Sequence, residues 1–268
     1  MESKVYTLRK DDAEITLTSY IASATEELSF NQKRKAILVI PGGAYWMVSD
    51  REGEPIAYSF LNAGFNAFVL KYTVRGKRRF PAQLLEVSMA MKLIHEHAEE
   101  FHIDPDYIFT IGFSAGGHLC ASHGTMWNRD FIFESVDMPR EWNRPRGMIL
   151  GYPVITSGEK AHRGSIDNLL GEKKEDPEAL ETVSLEKQVT EDTPPTFLLH
   201  ARNDTCVPVE NTLLFATALA AHKIPFEMHV YPVGGHGFSL ASPLVGVEKA
   251  YPSLPGWIDL AIQWAKTV

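Results

Sequence analysis

Ile111-Gly112-Phe113-Ser114-Ala115-Gly116-Gly117-His118-Leu119 is the stretch on which the fold turns. A strand-like run, Tyr107-Ile108-Phe109-Thr110-Ile111, leads into it, and a helix-like run from Gly117 to Met126 leads out. A serine between two glycines at such a junction is the pattern of a nucleophile elbow, a sharp strand–turn–helix with the serine at its tip. Side chains flanking the serine would strike neighbouring backbone. Glycine at 112 and 116 removes those collisions and leaves the Ser114 hydroxyl presented. Glycine–serine pentapeptides also occur in ordinary loops, so the weight of this one rests on its surroundings.

On the N-terminal side, Val5 to Ile21 alternates polar and apolar residues (Glu14-Ile15-Thr16-Leu17-Thr18), the pattern of half-exposed antiparallel strands. Ala36-Ile37-Leu38-Val39-Ile40 is instead a continuous apolar run, as expected of a strand buried on both faces of a parallel sheet. Helical spacing follows at Ile56, Ala57, Phe60 and Leu61, then a strand at Ala67–Leu70 and a long amphipathic helix over Pro81–Ala98. Beyond the elbow, strands are predicted at Gly147–Leu150, Thr196–Leu199 and Phe226–Val230, and helices at Val209–His222 and Gly256–Ala265. Buried strands alternating with helices indicate a mostly parallel, doubly wound sheet with helices on both faces. Thr156 to Thr193 breaks the rhythm. It is rich in Glu and Lys, holds no strong strand, and reads as a small cap-like insertion over the sheet edge within one domain spanning 1–268.

Length and composition bound the function. The 268 residues allow one large α/β domain, and 44% apolar with 22% charged residues is ordinary for a globular protein. A net charge of −8 argues against nucleic acid or an anionic membrane as principal partner. Met1 to Leu8 lacks the apolar core of a signal peptide, and no apolar run approaches the roughly 18 residues of a spanning helix. The expectation is a cytoplasmic protein whose partner is a small molecule; association into a homodimer is left open. Cys120 and Cys206 form no spaced framework and are expected to be reduced and buried.

A serine alcohol needs a neighbouring base, usually a histidine held in one tautomer by a carboxylate. On this architecture the order along the chain is Ser, then Asp or Glu, then His. The loop after Thr196–Leu199 carries Asp204, just beyond a strand end, where ligand and catalytic groups collect in open parallel sheets. The loop after Phe226–Val230 reads Gly234-Gly235-His236-Gly237-Phe238, so His236 sits on a glycine turn that can present its imidazole. Pro41-Gly42-Gly43-Ala44-Tyr45 follows the first buried strand. Its small residues allow backbone N–H groups to approach a developing oxyanion. Gly43 and Ala44 are the expected donors, uncertain by one position within Gly42–Ala44, with the N–H of Ala115 as the third.

These loops together resemble the α/β-hydrolase superfamily over nearly the whole chain. Pro41–Tyr45 and Gly112–Leu119 look like the bacterial esterase and acetylxylan-esterase-like group, related to hormone-sensitive-lipase-type enzymes. The corresponding loop there usually begins His-Gly-Gly-Gly; here Pro41 replaces the His and Ala44 the last Gly, and neither change removes a proposed donor. The resemblance implies an α/β-hydrolase fold and carboxylic ester hydrolysis without a cofactor, with acetylated sugars as a substrate class.

Plainer roles compete for each residue. Asp204 could be a turn residue or helix N-cap. Glu210 is the reserve acid, but it falls within a predicted helix, and Asp192 lies at the wrong end of its strand. His118 and His123 are expected to pack or face solvent, and His200 to be structural. Tyr45, Trp46 and Phe238 are weaker candidates for the substrate pocket. No HExxH, Cys/His cluster or P-loop is present, so no metal is expected. The rival enzymatic reading is a serine peptidase or amidase, since prolyl-peptidase catalytic domains and arylformamidases share fold and triad. A ligand-binding receptor on the same scaffold would require a broken triad.

Overall fold

The computed structural model describes residues 1–23, 27 and 33–268. In chain order the elements are Glu2–Arg9 (β1), Asp12–Ile21 (β2), Arg34–Ile40 (β3), Glu54–Asn62 (α1), Asn66–Lys71 (β4), Ala82–Glu96 (α2), Ile103–Phe113 (β5) and Ser114–Met126 (α3). Asp130–Ser135 (α4), Met148–Gly151 (β6), Arg163–Leu170 (α5), Pro177–Thr182 (α6), Thr196–Ala201 (β7), Glu210–Ala221 (α7), Phe226–Tyr231 (β8) and Trp257–Thr267 (α8) follow. The strands form one sheet in the order β1-β2-β4-β3-β5-β6-β7-β8. β1 and β2 pair antiparallel, as does β2 with β4, and every later pairing is parallel. This is the α/β-hydrolase fold.

The period-2 geometry of a strand explains the continuous apolar runs. Ala36, Leu38 and Ile40 of β3 enter one core with α2, α3 and α7, while Ile37 and Val39 enter a second with α1 and α8. β6 divides in the same way: Met148 and Leu150 face the first core and Ile149 the second. β8 differs because it closes the sheet edge. Its Phe226, Met228 and Val230 stay exposed.

Two expectations change. The helix after the elbow starts at Ser114 itself rather than at Gly117, because Ser114 to Gly116 already form its first turn. Cys206 is exposed, whereas Cys120 is buried and donates to Thr110 Oγ1; both are free thiols. Residues 156–193 leave the C-terminal end of β6 and carry α5 and α6. Phe80 N–H donates to Leu169 O, and Asn168 Nδ2 donates to Ala44 O at 2.9 Å, which docks α5 against the loop after β3. Among the described residues no helix is long and apolar enough to cross a membrane.

Candidate active site

Parallel pairing brings the C-terminal ends of β3, β5, β7 and β8 to one edge of the sheet, so their four loops converge there. At the end of β5, Ser114 has a φ of 52°, which a serine adopts at a cost of about 1–3 kcal/mol when the surroundings enforce it. They do. A Cβ on Gly112 would lie 2.2 Å from Gly116 O, and one on Gly116 would lie 2.2 Å from Ile40 O and 2.3 Å from Pro41 O. The helix therefore packs directly on the β3 and β5 backbone, and the turn cannot relax.

Ser114 Oγ donates to His236 Nε2 at 2.9 Å, and His236 Nδ1 donates to Asp204 Oδ2 at 2.7 Å. An ionised carboxylate can only accept, so Nδ1 carries the proton and Nε2 is left as the base. The side chain of Asp204 is fully buried and that of His236 is 23% exposed. Burial by itself pushes the Asp204 carboxyl up. Hydrogen bonds from His200 and His236, the charge on His236 and the Val207 N–H outweigh it and hold the group well below the usual carboxylate range. The two oxygens of Asp204 have separate partners: Oδ1 accepts from the N–H groups of Cys206 and Val207, forming the turn, while Oδ2 accepts from His236 Nδ1.

In the loop after β3, Gly42 N–H donates to Glu52 Oε2 and is thereby taken. Gly43 and Ala44 adopt φ values of 125° and 55°, and among the described residues their N–H groups meet no protein acceptor. Ala115 lies in the first turn of α3, where N–H groups have no intrahelical partner. Within Gly42–Ala44, the N–H groups of Gly43 and Ala44 are thus the ones left without a protein acceptor among the described residues.

Of the pocket candidates, Trp46 is 59% exposed beside this loop. Tyr45 is not a pocket wall. Its own φ of 56° carries the ring inward to 1% exposure, where its hydroxyl bonds His118 Nδ1 at 2.8 Å. Phe238 is likewise buried, packed edge-on to Tyr152 at 4.6 Å. His118 and His123 are both fully buried, and burial pushes each imidazole down to about 4. Glu210 opens α7, and Asp192 binds Asn128 Nδ2 ahead of β7.

Three supporting residues carry little signal in the sequence. His200 Nε2 lies 3.3 Å from Asp204 Oδ2 and 2.9 Å from Val207 O, behind the acid. Asn203 Oδ1 accepts from both Gly234 N–H and Gly235 N–H at 2.9 Å, tying the acid loop to the histidine loop. Glu52 is the third. An asparagine directly before the acid was the one available clue. Among the described residues, no cluster of His, Cys, Asp and Glu could hold a metal ion.

Residues 26–219 match the BD-FAE family. The chain belongs to that family, a group of esterase-like α/β hydrolases. It is 43% identical over 215 residues to endo-1,4-beta-xylanase B of Butyrivibrio fibrisolvens, covering 78% of this chain and 33% of that protein. It is 31% identical over 234 residues to the acetylxylan esterase of Xylanibacter ruminicola, covering 85% of this chain and 46% of that one. The chain thus spans less than half the length of these two relatives. A solved acetyl ester-xyloside bifunctional hydrolase from Caldicellulosiruptor lactoaceticus superposes with a TM-score of 0.84 at 36% identity, covering 98% of this chain and 96% of that one.

Proposed function

We propose that this BD-FAE chain is a serine carboxylesterase acting on small acyl esters, with acetylated sugars or xylo-oligosaccharides as its substrate class. The observation that carries the reading is the unbroken relay from Ser114 Oγ through His236 to Asp204, at 2.9 and 2.7 Å. Ser114 Oγ attacks the acyl carbon as His236 Nε2 takes its proton, and Asp204 stabilises the imidazolium. The oxyanion rests on the N–H groups of Gly43, Ala44 and Ala115. Collapse breaks the ester C–O bond, and His236 returns the proton to the departing alcohol. Water then attacks the acyl-serine with His236 again as base, releasing the acid and restoring Ser114.

The sugar assignment is supported by the names of these relatives: two of the three name acetyl esters, and all three name xylan or a xyloside. The test is a comparison of p-nitrophenyl esters of rising acyl length with acetylated xylo-oligosaccharides, peptides and formamides. Turnover of acetyl esters, with the others much slower, is the expected outcome. Faster turnover of peptide or formamide substrates would replace the reading by an amidase. A Ser114 inert to a fluorophosphonate would remove it.

A further inference from the structure

Glu52 ends a single turn of 3₁₀ helix, Asp50–Glu52, ahead of α1, and its residue exposure is only 3%. Among the described residues no Lys, Arg or His nitrogen forms an ion pair with it. Burying a carboxylate without a cation is costly unless hydrogen bonds replace the lost water. Two do, and they come from different parts of the site. Gly42 N–H donates to Oε2 at 2.9 Å, and Tyr152 O–H donates to Oε1 at 2.7 Å.

Gly42 is the residue just before the donor pair Gly43 and Ala44. It also backs onto the elbow, since a Cβ there would lie 3.0 Å from Ser114 Cβ and 2.7 Å from Glu52 Oε2. Tyr152 follows β6, and its ring meets the His236 imidazole edge-on at 5.2 Å. The Tyr152 oxygen in turn accepts from Ser239 N–H at 3.0 Å, and Ser239 Oγ donates to Arg51 O, next to Glu52. The chain of bonds closes on itself. One buried carboxylate therefore joins the oxyanion loop to the segment that carries the base.

We propose that Glu52 is a positioning residue for the reaction: it sets the Gly43 and Ala44 N–H groups and the His236 imidazole in one fixed relation to Ser114. The proposal rests on the serine-esterase reading above. Electrostatics alone points the other way. A negative charge near a forming oxyanion raises the barrier, so removing it should leave turnover equal or faster. Positioning predicts a fall. The chemistry also demands an acceptor on both sides: glutamine offers one acceptor oxygen and one NH₂, so it cannot receive both the Gly42 N–H and the Tyr152 O–H.

The experiment is Glu52→Gln, with kcat and KM on p-nitrophenyl acetate measured per active site, counted by fluorophosphonate titration so that misfolded protein drops out. A whole oxyanion donor is worth about 10²–10³ in kcat. A displaced one should lose part of that, roughly 10- to 100-fold, with KM within about twofold because the ground state makes little use of the hole. Unchanged or raised kcat per titrated site overturns the proposal, whatever happens to thermal stability. If Glu52→Gln does not fold, Tyr152→Phe decides: it removes only the hydroxyl, and a fall in kcat per titrated site supports the linkage while an unchanged kcat overturns it. Ser114→Ala separates the two levels. Activity surviving there defeats the esterase reading itself; a dead Ser114→Ala beside a fully active Glu52→Gln defeats only the role of Glu52.

Discussion

The elbow and the 156–193 segment meet at the same sheet edge, yet one is fixed through backbone contacts and the other through side chains. Every residue of α3 is buried, and its first turn is locked against β3 and β5 by backbone contacts that leave no room for a Cβ at 112 or 116. The 156–193 segment is anchored by side chains: Ile166, Leu169, Leu170, Val183, Leu185 and Val189 are buried in the core shared with α2 and α3, and polar bonds join Asn168 to Ala44 O, His118 to Val183 O and the Thr156 N–H to Asn211 Oδ1. Its outer surface carries exposed pairs such as Arg163 with Asp167 and Glu175, each worth little to stability. The difference assigns labour. Ser114 sits where backbone contacts over-determine the geometry, whereas the 156–193 segment is placed by side-chain packing and only its outer surface is free of that constraint.

The comparison breaks most visibly at Ser114. Ser114→Ala should cut turnover of a short p-nitrophenyl ester by about 10³-fold or more while leaving the melting temperature close to that of the parent. A mutant with near-normal turnover would show that the elbow is architecture only. Gly116→Ala comes next. Its methyl must displace the carbonyls of Ile40 and Pro41, which are backbone and cannot swing aside. The expected cost is roughly 3 kcal/mol, seen in urea unfolding, with a large loss of kcat from the displaced serine.

That locked geometry is also why the elbow and the relay were legible in the chain. A turn that excludes side chains requires glycine at fixed offsets, and a strand buried on both faces requires an unbroken apolar run. Gly112, Gly116 and Ala36–Ile40 each answer to such a local rule. Tyr45 and Phe238 were misread because an aromatic beside a glycine loop says nothing of which way the backbone turns it; the positive φ of Tyr45 points it into the core. Cys206 was misplaced because the Asp204 turn engages its N–H and leaves its thiol outside. Glu52 obeys no period at all: its partners lie 10 and 100 residues away. The 156–193 segment escapes for the same reason, since its contacts are set by the rest of the fold.

His118 lies where the two regions touch, and acid should separate them. Its Nε2 donates to Val183 O in the 156–193 segment, so its Nδ1 is the acceptor for the Tyr45 hydroxyl; the ring is held neutral. Burial moves its pKa from 6.5 down to about 4. Between those values the unfolded chain binds a proton that the folded chain does not. Stability therefore falls as pH drops from about 6.5 towards 4, by an amount on the order of 3 kcal/mol for this group. Asp204 does not add to the loss in that window, because its carboxyl is held below the usual range and protonates only at lower pH. Urea unfolding at pH 7, 5.5 and 4.5 measures the slope. His123 and His95 are also pushed down to about 4 by burial and share this window, so His118→Gln should lessen the slope by roughly a third, and an equal slope in the mutant would assign the acid lability elsewhere.

The smallest expected effect tests the division of labour most closely. Asn168 reaches from α5 to Ala44 O, so it is a point at which the 156–193 segment touches the proposed oxyanion loop. If the loop is fixed from beneath, by Gly42 on Glu52 and by the Trp46 and Met47 N–H groups on Gly43 O, then losing the bond from above should cost about 1 kcal/mol. Asn168→Ala should therefore change kcat on p-nitrophenyl acetate by only a few-fold. If a bulky sugar ester lies against α5, its KM should rise more than that of the small ester. A fall in kcat as large as that of Gly116→Ala would mean that the oxyanion loop is held from both sides, and that the segment belongs to the machinery rather than to its surroundings.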